Sequence, residues 1–512
     1  MPQPNTSASG SLEAALAEAV RTLDPAYLEA RRWYGGKGRG VRALSLVAAH
    51  PLPLERPRAW YCLVGIDYAD GGHDVYAMPL TLQPGTETGD RPLAFELPDE
   101  AGARLAASDA VLDPAFNRAL YDLLEGEAEL PGGGGALHFR HTPVLAEVAA
   151  HVDPRQNVRL VASEQSNSSI IYSEAFILKL FRRLEEGPNP DLEVLRFLTE
   201  HTSFRHSPRI AGYIERQPEA GEATAIGALQ TFVANEGDGW RHTLQGLADF
   251  YAGGGEEAPS DGRLLTDAAT LGRITGELHA ALATGEDPAF APEAITLDDT
   301  RSWVAALDHE ISETLGLLRE VSAQAPEALR AHQAALARFL DSETQLRETA
   351  GTLHELAAAG SVKTRYHGDY HLGQVLVSGE DFIILDFEGE PARTLRERRA
   401  KYTPLRDVAG MLRSLSYAAA ASVFALPDEQ QAQTEARAQA WEAQARAAFL
   451  DAYRRVVEAA PQPLLPADPQ VAERVLHALE LEKALYELRY ELRNRPAWLP
   501  VPLRGITKLL EG

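Results

Sequence analysis

His367-Gly368-Asp369-Tyr370-His371-Leu372-Gly373-Gln374, followed by the apolar run Asp381-Phe382-Ile383-Ile384-Leu385 and then Asp386-Phe387-Glu388, is the stretch whose reading decides the fold. The apolar run predicts a strand, which sets the two acidic turns at the ends of one β-hairpin. An aspartate closing a His-x-Asp turn, an amide five residues on, and an Asp-Phe pair after a strand have the spacing of a kinase catalytic loop and its metal-binding turn. The chemistry explains the spacing. The first aspartate must meet an acceptor hydroxyl, while the amide and the second aspartate converge on the magnesium that bridges the nucleotide phosphates. On this reading Asp369 is the catalytic base or hydroxyl orienter, and Gln374 and Asp386 hold the metal. Two aspartates that merely cap turns would account for each half of the pattern but not for the joint spacing.

Working upstream, the strand Ala175-Phe176-Ile177-Leu178-Lys179-Leu180-Phe181 carries one lysine among apolar residues, and a charge there must reach solvent, an anion or a carboxylate. A helix follows from Asp191 with Glu193 in its first turn, so Lys179 and Glu193 fit the strand–helix ion pair that aims a lysine at nucleotide phosphates. Between the strand 158–161 and the strand 170–172 lies Glu164-Gln165-Ser166-Asn167-Ser168-Ser169. It is not a glycine-rich phosphate loop, but Ser166, Asn167 and Ser168 are expected in a turn that offers amides and hydroxyls to phosphate. The strand 226–233 falls where a kinase fold joins its two lobes, which makes Gln230, Phe232 and Val233 the adenine-side candidates.

Composition narrows the partners. Across 512 residues, 49 Lys and Arg stand against 74 Asp and Glu, a formal charge of -25 that opposes binding to nucleic acid or an anionic membrane. The single cysteine, Cys62, excludes an intrachain disulfide and a multi-cysteine metal knot. The first ten residues lack the basic-then-apolar order of a secretory leader, and no apolar run approaches membrane-helix length, so a soluble protein of the cytoplasm is expected.

The segment 41–97 alternates short β-rich pieces with turns such as Asp70-Gly71-Gly72. Helical spacing appears at 12–22 and 113–125, and then over 268–282, 301–321, 326–346, 405–419, 428–459 and 470–494. Pro131-Gly132-Gly133-Gly134-Gly135 is not followed by Lys and Ser or Thr, so it is expected to be a flexible connection and not a phosphate loop. His279 lies on an apolar helix face and is expected to be a packed histidine.

Taken with Arg32-Trp33-Tyr34-Gly35-Gly36-Lys37-Gly38, Glu164-Gln165-Ser166-Asn167-Ser168, Asp386-Phe387-Glu388-Gly389-Glu390-Pro391 and Leu405-Arg406-Asp407-Val408-Ala409-Gly410-Met411, the chain resembles the bacterial maltokinases, relatives of the aminoglycoside phosphotransferases. The run Glu482-Lys483-Ala484-Leu485-Tyr486-Glu487-Leu488-Arg489-Tyr490-Glu491 is similar to one in members fused to trehalose synthase. The resemblance implies an α+β, bilobal, protein kinase-like fold with an N-terminal β-rich cap at 1–108, an intermediate nucleotide-binding lobe at 109–234 and a helical C-lobe at 235–512. It implies ATP and Mg2+ as cofactors, phosphorylation of maltose at its anomeric hydroxyl for α-glucan synthesis, and a trehalose synthase as a partner to test for. Gln374 agrees with this family where other kinases carry asparagine. Sugar recognition calls for planar polar groups and aromatic rings. The candidates are His367, Lys401, Arg406, Asp407, Tyr486, Glu487, Tyr490, Glu491 and Trp498. Two other readings stand beside it: a glucosamine or other sugar kinase of the same fold, and a catalytically silent nucleotide-binding module that docks trehalose synthase.

Overall fold

A computed structural model describes residues 6–54, 57–85, 91–99, 101–161, 166–252, 262–324 and 332–511. The chain forms two compact units, Met1–Arg196 with Pro208–Ala234 and Phe197–Ser207 with Asn235–Gly512. The architecture is α+β, with antiparallel sheets in the first unit and helices dominating the second.

The first unit opens with helices α1 (Thr6–Arg21) and α2 (Pro25–Glu29). An antiparallel sheet follows, made of β1 (Val41–Pro51), β2 (Arg58–Tyr68), β3 (His73–Pro84), β4 (Leu93–Pro98) and β5 (Arg104–Asp109) in the order β1-β2-β3-β5-β4. Residues 59–66 of β2 are buried without a break, as a strand covered on both faces requires. On one face Leu12 and Leu16 of α1 cluster with Trp60, Cys62, Leu80 and Leu82, and burial of each large apolar side chain contributes roughly 1.5–3 kcal/mol. Helix α3 (Pro114–Glu125) starts where the Asp113 carboxylate accepts from the Ala115 N–H, a side-chain cap on a helix whose first residue is proline.

The second sheet takes in β6 (Glu129–Gly132), β7 (Gly135–His141), β8 (Val158–Leu160), β9 (Asn167–Tyr172) and β10 (Phe176–Phe181), with helix α4 (Pro143–Ala149) between β7 and β8. The short β11 (Arg183–Leu184) crosses to pair with β3, and β12 (Ile210–Pro218) and β13 (Thr224–Thr231) complete the order β6-β7-β12-β13-β10-β9-β8. The glycine run expected to be flexible is instead the tip of the β6–β7 hairpin. Gly133 and Gly134 hold φ of 52° and 69°, the two positive values that a tight hairpin turn demands, and a Cβ on Gly133 would stand 2.7 Å from the Ala49 nitrogen. Of the expected serine-rich turn, Glu164 and Gln165 lie outside the described residues, and Asn167 to Ser169 already belong to strand β9.

Helix α5 (Pro190–His201) begins in the first unit and ends in the second, where Phe197 stacks on Phe290 with ring centroids 3.9 Å apart. The second unit continues with α6 (Gly239–Ala252), α7 (Gly262–Leu282), α8 (Leu297–Gln324), α9 (Gln333–Asp341), α10 (Glu343–Gly351) and α11 (Leu395–Arg398). It closes with α12 (Leu405–Phe424), α13 (Asp428–Val457), α14 (Pro469–Asn494) and α15 (Pro500–Glu511). Two antiparallel pairs sit among these helices, β14 (Glu293–Ala294) with β15 (Val362–Lys363) and β16 (Val375–Ser378) with β17 (Asp381–Ile384). The single helix expected over 326–346 is two pieces: α9 stops at Ser342, whose hydroxyl bonds back to the Arg338 carbonyl, and residues 326–331 are outside the described set. Among the described residues no helix is long and apolar enough to cross a membrane.

Candidate active site

The β16–β17 hairpin fixes Gln374 and Asp386, the pair expected to hold metal. Val375 pairs with Ile384, and the Leu385 N–H bonds to the Gln374 carbonyl at 2.9 Å, so the ladder runs one pair further and Gln374 and Asp386 leave the hairpin at the same end. Asp386 holds a φ of 57°, a left-handed conformation that a non-glycine residue keeps only where its surroundings enforce it. An amide oxygen beside a carboxylate is the hard-oxygen donor set that magnesium takes when phosphates and water complete its shell.

The loop 367–374 is held from behind. Asp407, at the start of α12 and 2% exposed, accepts the backbone N–H of His367 at 2.7 Å and of Gly368 at 3.0 Å, and His279 Nε2 lies 3.1 Å from the same carboxylate. Burial alone would raise this carboxyl, but the His279 hydrogen bond and the backbone N–H of Gly368 outweigh it and hold the group below its ordinary value. His367 is buried too, donating through Nε2 to the Leu385 carbonyl at 2.7 Å and accepting the Asp369 N–H on Nδ1 at 3.3 Å. Two close approaches need glycine. Gly368 has a φ of 87° and a Cβ there would meet Gly389 at 3.2 Å, while a Cβ on Gly410 of α12 would stand 2.6 Å from the Tyr370 carbonyl.

In front of the loop stands a cluster of charges that is largely buried but reaches solvent. Lys483 on α14 donates to Asp369 Oδ1 at 3.0 Å and to Glu390 Oε1 at 3.2 Å. Burial works against its charge, yet Asp369 and Glu390 outweigh that and push the ammonium above its ordinary value. Glu390 shows the converse: burial would raise it, but Lys483, Arg406 and Arg393 hold it down at about 2. Arg393 bonds Glu390 at 2.7 Å, and Arg393 and Arg406 both reach Glu482, at 3.3 and 2.5 Å. Burial lowers His371, which leaves a neutral ring whose Nε2 is 3.9 Å from Asp369 Oδ2. Asp369, Lys483, Glu390, Arg393, Arg406 and Glu482 line a cavity of about 580 Å³ that Tyr486 and Tyr490 also border, and both tyrosines are over 40% exposed.

Not every expected sugar contact is there. Arg406, Tyr486 and Tyr490 line the cavity, and Asp407 touches it, but the Asp407 oxygens are taken by the loop's own backbone and His279. His367 likewise has both ring nitrogens engaged inside the protein, which makes it a brace and not a sugar ligand. Lys401 spends its three donors on the carbonyls of Pro288 and Ala291 and on Glu293. Glu487 pairs with Arg413 at 2.7 Å, Glu491 bonds Tyr417 and Arg495, and Trp498 stacks on Tyr417, all outside the cavity lining. The reason is helical period: 479, 482, 483, 486 and 490 share one face of α14, while 487 and 491 turn aside to the face of Glu480. Lys483 was within the quoted C-terminal run, and that period would have singled it out.

In the first unit Lys179 lies between Ser169 of β9 and Ala228 of β13, with its Nζ 3.8 Å from Asp191 Oδ2. Asp191 is fully buried and also accepts from Gln230 Nε2 at 3.1 Å, so the Gln230 side chain is committed to it. The sequence offered Glu193 as the lysine's partner; both acids sit in the first turn of α5, and Asp191 also stands within ion-pair distance of Lys179. The Phe232 N–H bonds the Ala175 carbonyl at 2.8 Å, which removes that donor as an adenine contact, and Val233 follows it beyond the end of β13. Ser166 is exposed and Asn167 half-buried, whereas Ser168 is buried and accepts from Arg182 Nε at 2.8 Å.

Residues 27–113 match the maltokinase N-terminal cap domain family. Among curated proteins, the chain is 28% identical over 393 residues to a glucosamine kinase of Streptacidiphilus jiangxiensis, covering 74% of this chain and 82% of that one. It is 29% identical over 357 residues to a glucosamine kinase of Mycolicibacterium smegmatis, covering 69% and 79%. A solved glucosamine kinase in complex with glucosamine, ADP and inorganic phosphate has the same fold, with a TM-score of 0.67 at 23% identity over 96% of this chain and 99% of that chain.

Proposed function

We propose that this chain, an ATP-dependent phosphotransferase of the aminoglycoside phosphotransferase-like kinase superfamily, is a maltokinase that phosphorylates the anomeric hydroxyl of maltose to give maltose 1-phosphate and ADP. The observation that carries the acceptor is the charge state of the cavity. Each of its six carboxylates is already engaged: Asp369 and Glu390 by Lys483, Glu482 by Arg393 and Arg406, Glu310 by Arg489, Asp407 by His279 and backbone, and Glu397 by Thr394. A cationic aminosugar would find a cation already on four of the six, Asp407 filled by the protein, only Glu397 left with a neutral cap, and the Lys483 ammonium already on Asp369. Two like charges about 5 Å apart repel by on the order of 3 kcal/mol at a near-surface dielectric. A neutral disaccharide meets no such penalty, and the exposed rings of Tyr486 and Tyr490 supply the apolar faces that a second glucosyl ring would cover.

In this reading Asp369 accepts the anomeric O–H and takes its proton as the oxygen attacks the terminal phosphoryl group; the phosphorus–oxygen bond to ADP breaks and ADP carries away the electron pair. Lys483, hydrogen-bonded to Asp369 at 3.0 Å, holds its carboxylate in place until the hydroxyl arrives, and Lys179 offers a positive charge to the triphosphate. Gln374 and Asp386 would hold a magnesium ion, which when bound neutralises phosphate charge. The trehalose synthase partner is part of the same proposal and rests on the likeness of the 482–491 run. The names of the curated relatives favour a second reading, a glucosamine kinase. Incubation with ATP, magnesium and equal maltose and glucosamine, with each product's linkage assigned, decides between them: glucosamine 6-phosphate as the main product would sink the maltose reading and leave the kinase standing.

A further inference from the structure

Tyr453 on α13, His279 on α7 and Asp407 on α12 form a buried chain behind the loop that carries Asp369. His279 is 0% exposed, with Nδ1 3.0 Å from the Tyr453 hydroxyl and Nε2 3.1 Å from Asp407 Oδ2. A carboxylate only accepts, so Nε2 carries the proton and Nδ1 is left to accept the Tyr453 hydroxyl hydrogen. One neutral tautomer therefore satisfies all three groups. The helices are shaped to bring them together. A Cβ on Gly272 would run into the Phe449 carbonyl and one on Gly276 would stand 2.8 Å from Val456 Cβ, so α7 and α13 approach at backbone distance beside Tyr453. One turn before His279, Thr275 Oγ1 lies 3.0 Å from the Tyr370 hydroxyl, so α7 grips the loop a second time at the residue next to Asp369.

We propose that His279 is a positioning residue for phosphoryl transfer: it fixes the Asp407 carboxylate, which holds the His367 and Gly368 N–H groups and so sets where Asp369 stands. The inference rests on the kinase reading above. A histidine that only filled space would need neither polar partner, whereas here one end of the ring is bonded to the buried Tyr453 hydroxyl and the other to the carboxylate that holds the loop. Asp369 itself is a chain of three hydrogen bonds away from the ring, so the effect on chemistry is one of geometry, and misplacement by a fraction of an ångström is enough to slow an in-line transfer.

The test compares His279→Gln, which keeps an N–H donor toward Asp407, with His279→Leu, which keeps volume without it, reading kcat, both KM values and the thermal midpoint. The expected result is a loss in kcat of about tenfold or more for His279→Leu with KM changed less than about twofold, and recovery of most of the rate by His279→Gln. Tyr453→Phe, which frees the tautomer, should lower kcat by about threefold. Equal kcat in the Leu and Gln variants, whether both active or both slow, would overturn the inference. If His279→Leu does not fold, Tyr453→Phe decides, and a wild-type kcat there overturns it. Wild-type protein that phosphorylates none of a panel of sugars would instead defeat the functional reading on which the inference stands.

Discussion

Behind the loop 367–374 the Asp407 side chain is 1% exposed and its oxygens are filled by backbone and His279, whereas in front the Lys483 and Asp369 side chains are 19% and 20% exposed and bonded to each other. The rear groups have nothing left for a ligand; their work is to fix backbone. The front pair keeps about a fifth of its surface open, so an acceptor hydroxyl can reach Asp369 without the protein having to open. On the proposed reading, position comes from the rear side and chemistry from the front. The contrast also explains why two residues expected to touch sugar, His367 and Asp407, serve the protein instead.

The largest effect should fall on the front. Asp369→Asn should lower kcat by at least about a hundredfold with nucleotide binding close to wild type, since the amide keeps the side chain's shape but not its basicity. Near-normal turnover would remove Asp369 from the chemistry. Asp407→Ala should do the reverse, destabilising the fold by about 3–5 kcal/mol in denaturant unfolding because two backbone N–H groups and a histidine lose a buried carboxylate. If its stability matches wild type, the rear side is not the brace described. In the first unit, Lys179→Ala should raise the KM for ATP by about tenfold with a smaller change in sugar KM, because it removes a charge from the phosphates and not from the acceptor. An unchanged ATP dependence would return Lys179 to a purely structural pair with Asp191.

The smallest effect concerns acid. Glu390 is held at about 2, below its ordinary 4.5, so its share of stability is whole above about pH 4.5 and drains as pH falls through 2. That share is on the order of 3 kcal/mol for this mostly buried group. Unfolding of wild type and Glu390→Gln followed across that window should show wild type losing its advantage toward the acid end; parallel curves would mean that Lys483 and its arginine neighbours do not hold the carboxylate.

The placement of the loop was legible in the sequence because it is local: Gln374 and Asp386 flank one hairpin whose register follows from a single apolar strand, and Asp369 comes just before it. Lys179 was legible for the same reason, as a lone charge in an apolar run. What the sequence hid depends on contacts far apart in the chain. Lys401 closes on carbonyls more than a hundred residues away, and Asp407 braces a loop forty residues before it. That Asp191 also stands beside Lys179 depends on the orientation of one helical turn, which composition does not encode. The glycine run misled because a flexible linker and a tight hairpin use the same residue, and only pairing of β6 with β7 distinguishes them.

The central claim, a neutral acceptor phosphorylated at its anomeric oxygen, is tested most directly by phosphorus NMR of the products formed from ATP, magnesium and an equimolar mixture of maltose, glucose and glucosamine at limiting enzyme. The account predicts maltose 1-phosphate as the main product, from a cavity whose carboxylates are all engaged and whose base is held by Lys483. Glucosamine 6-phosphate in excess, or no preference between the neutral and the cationic sugar, would contradict it.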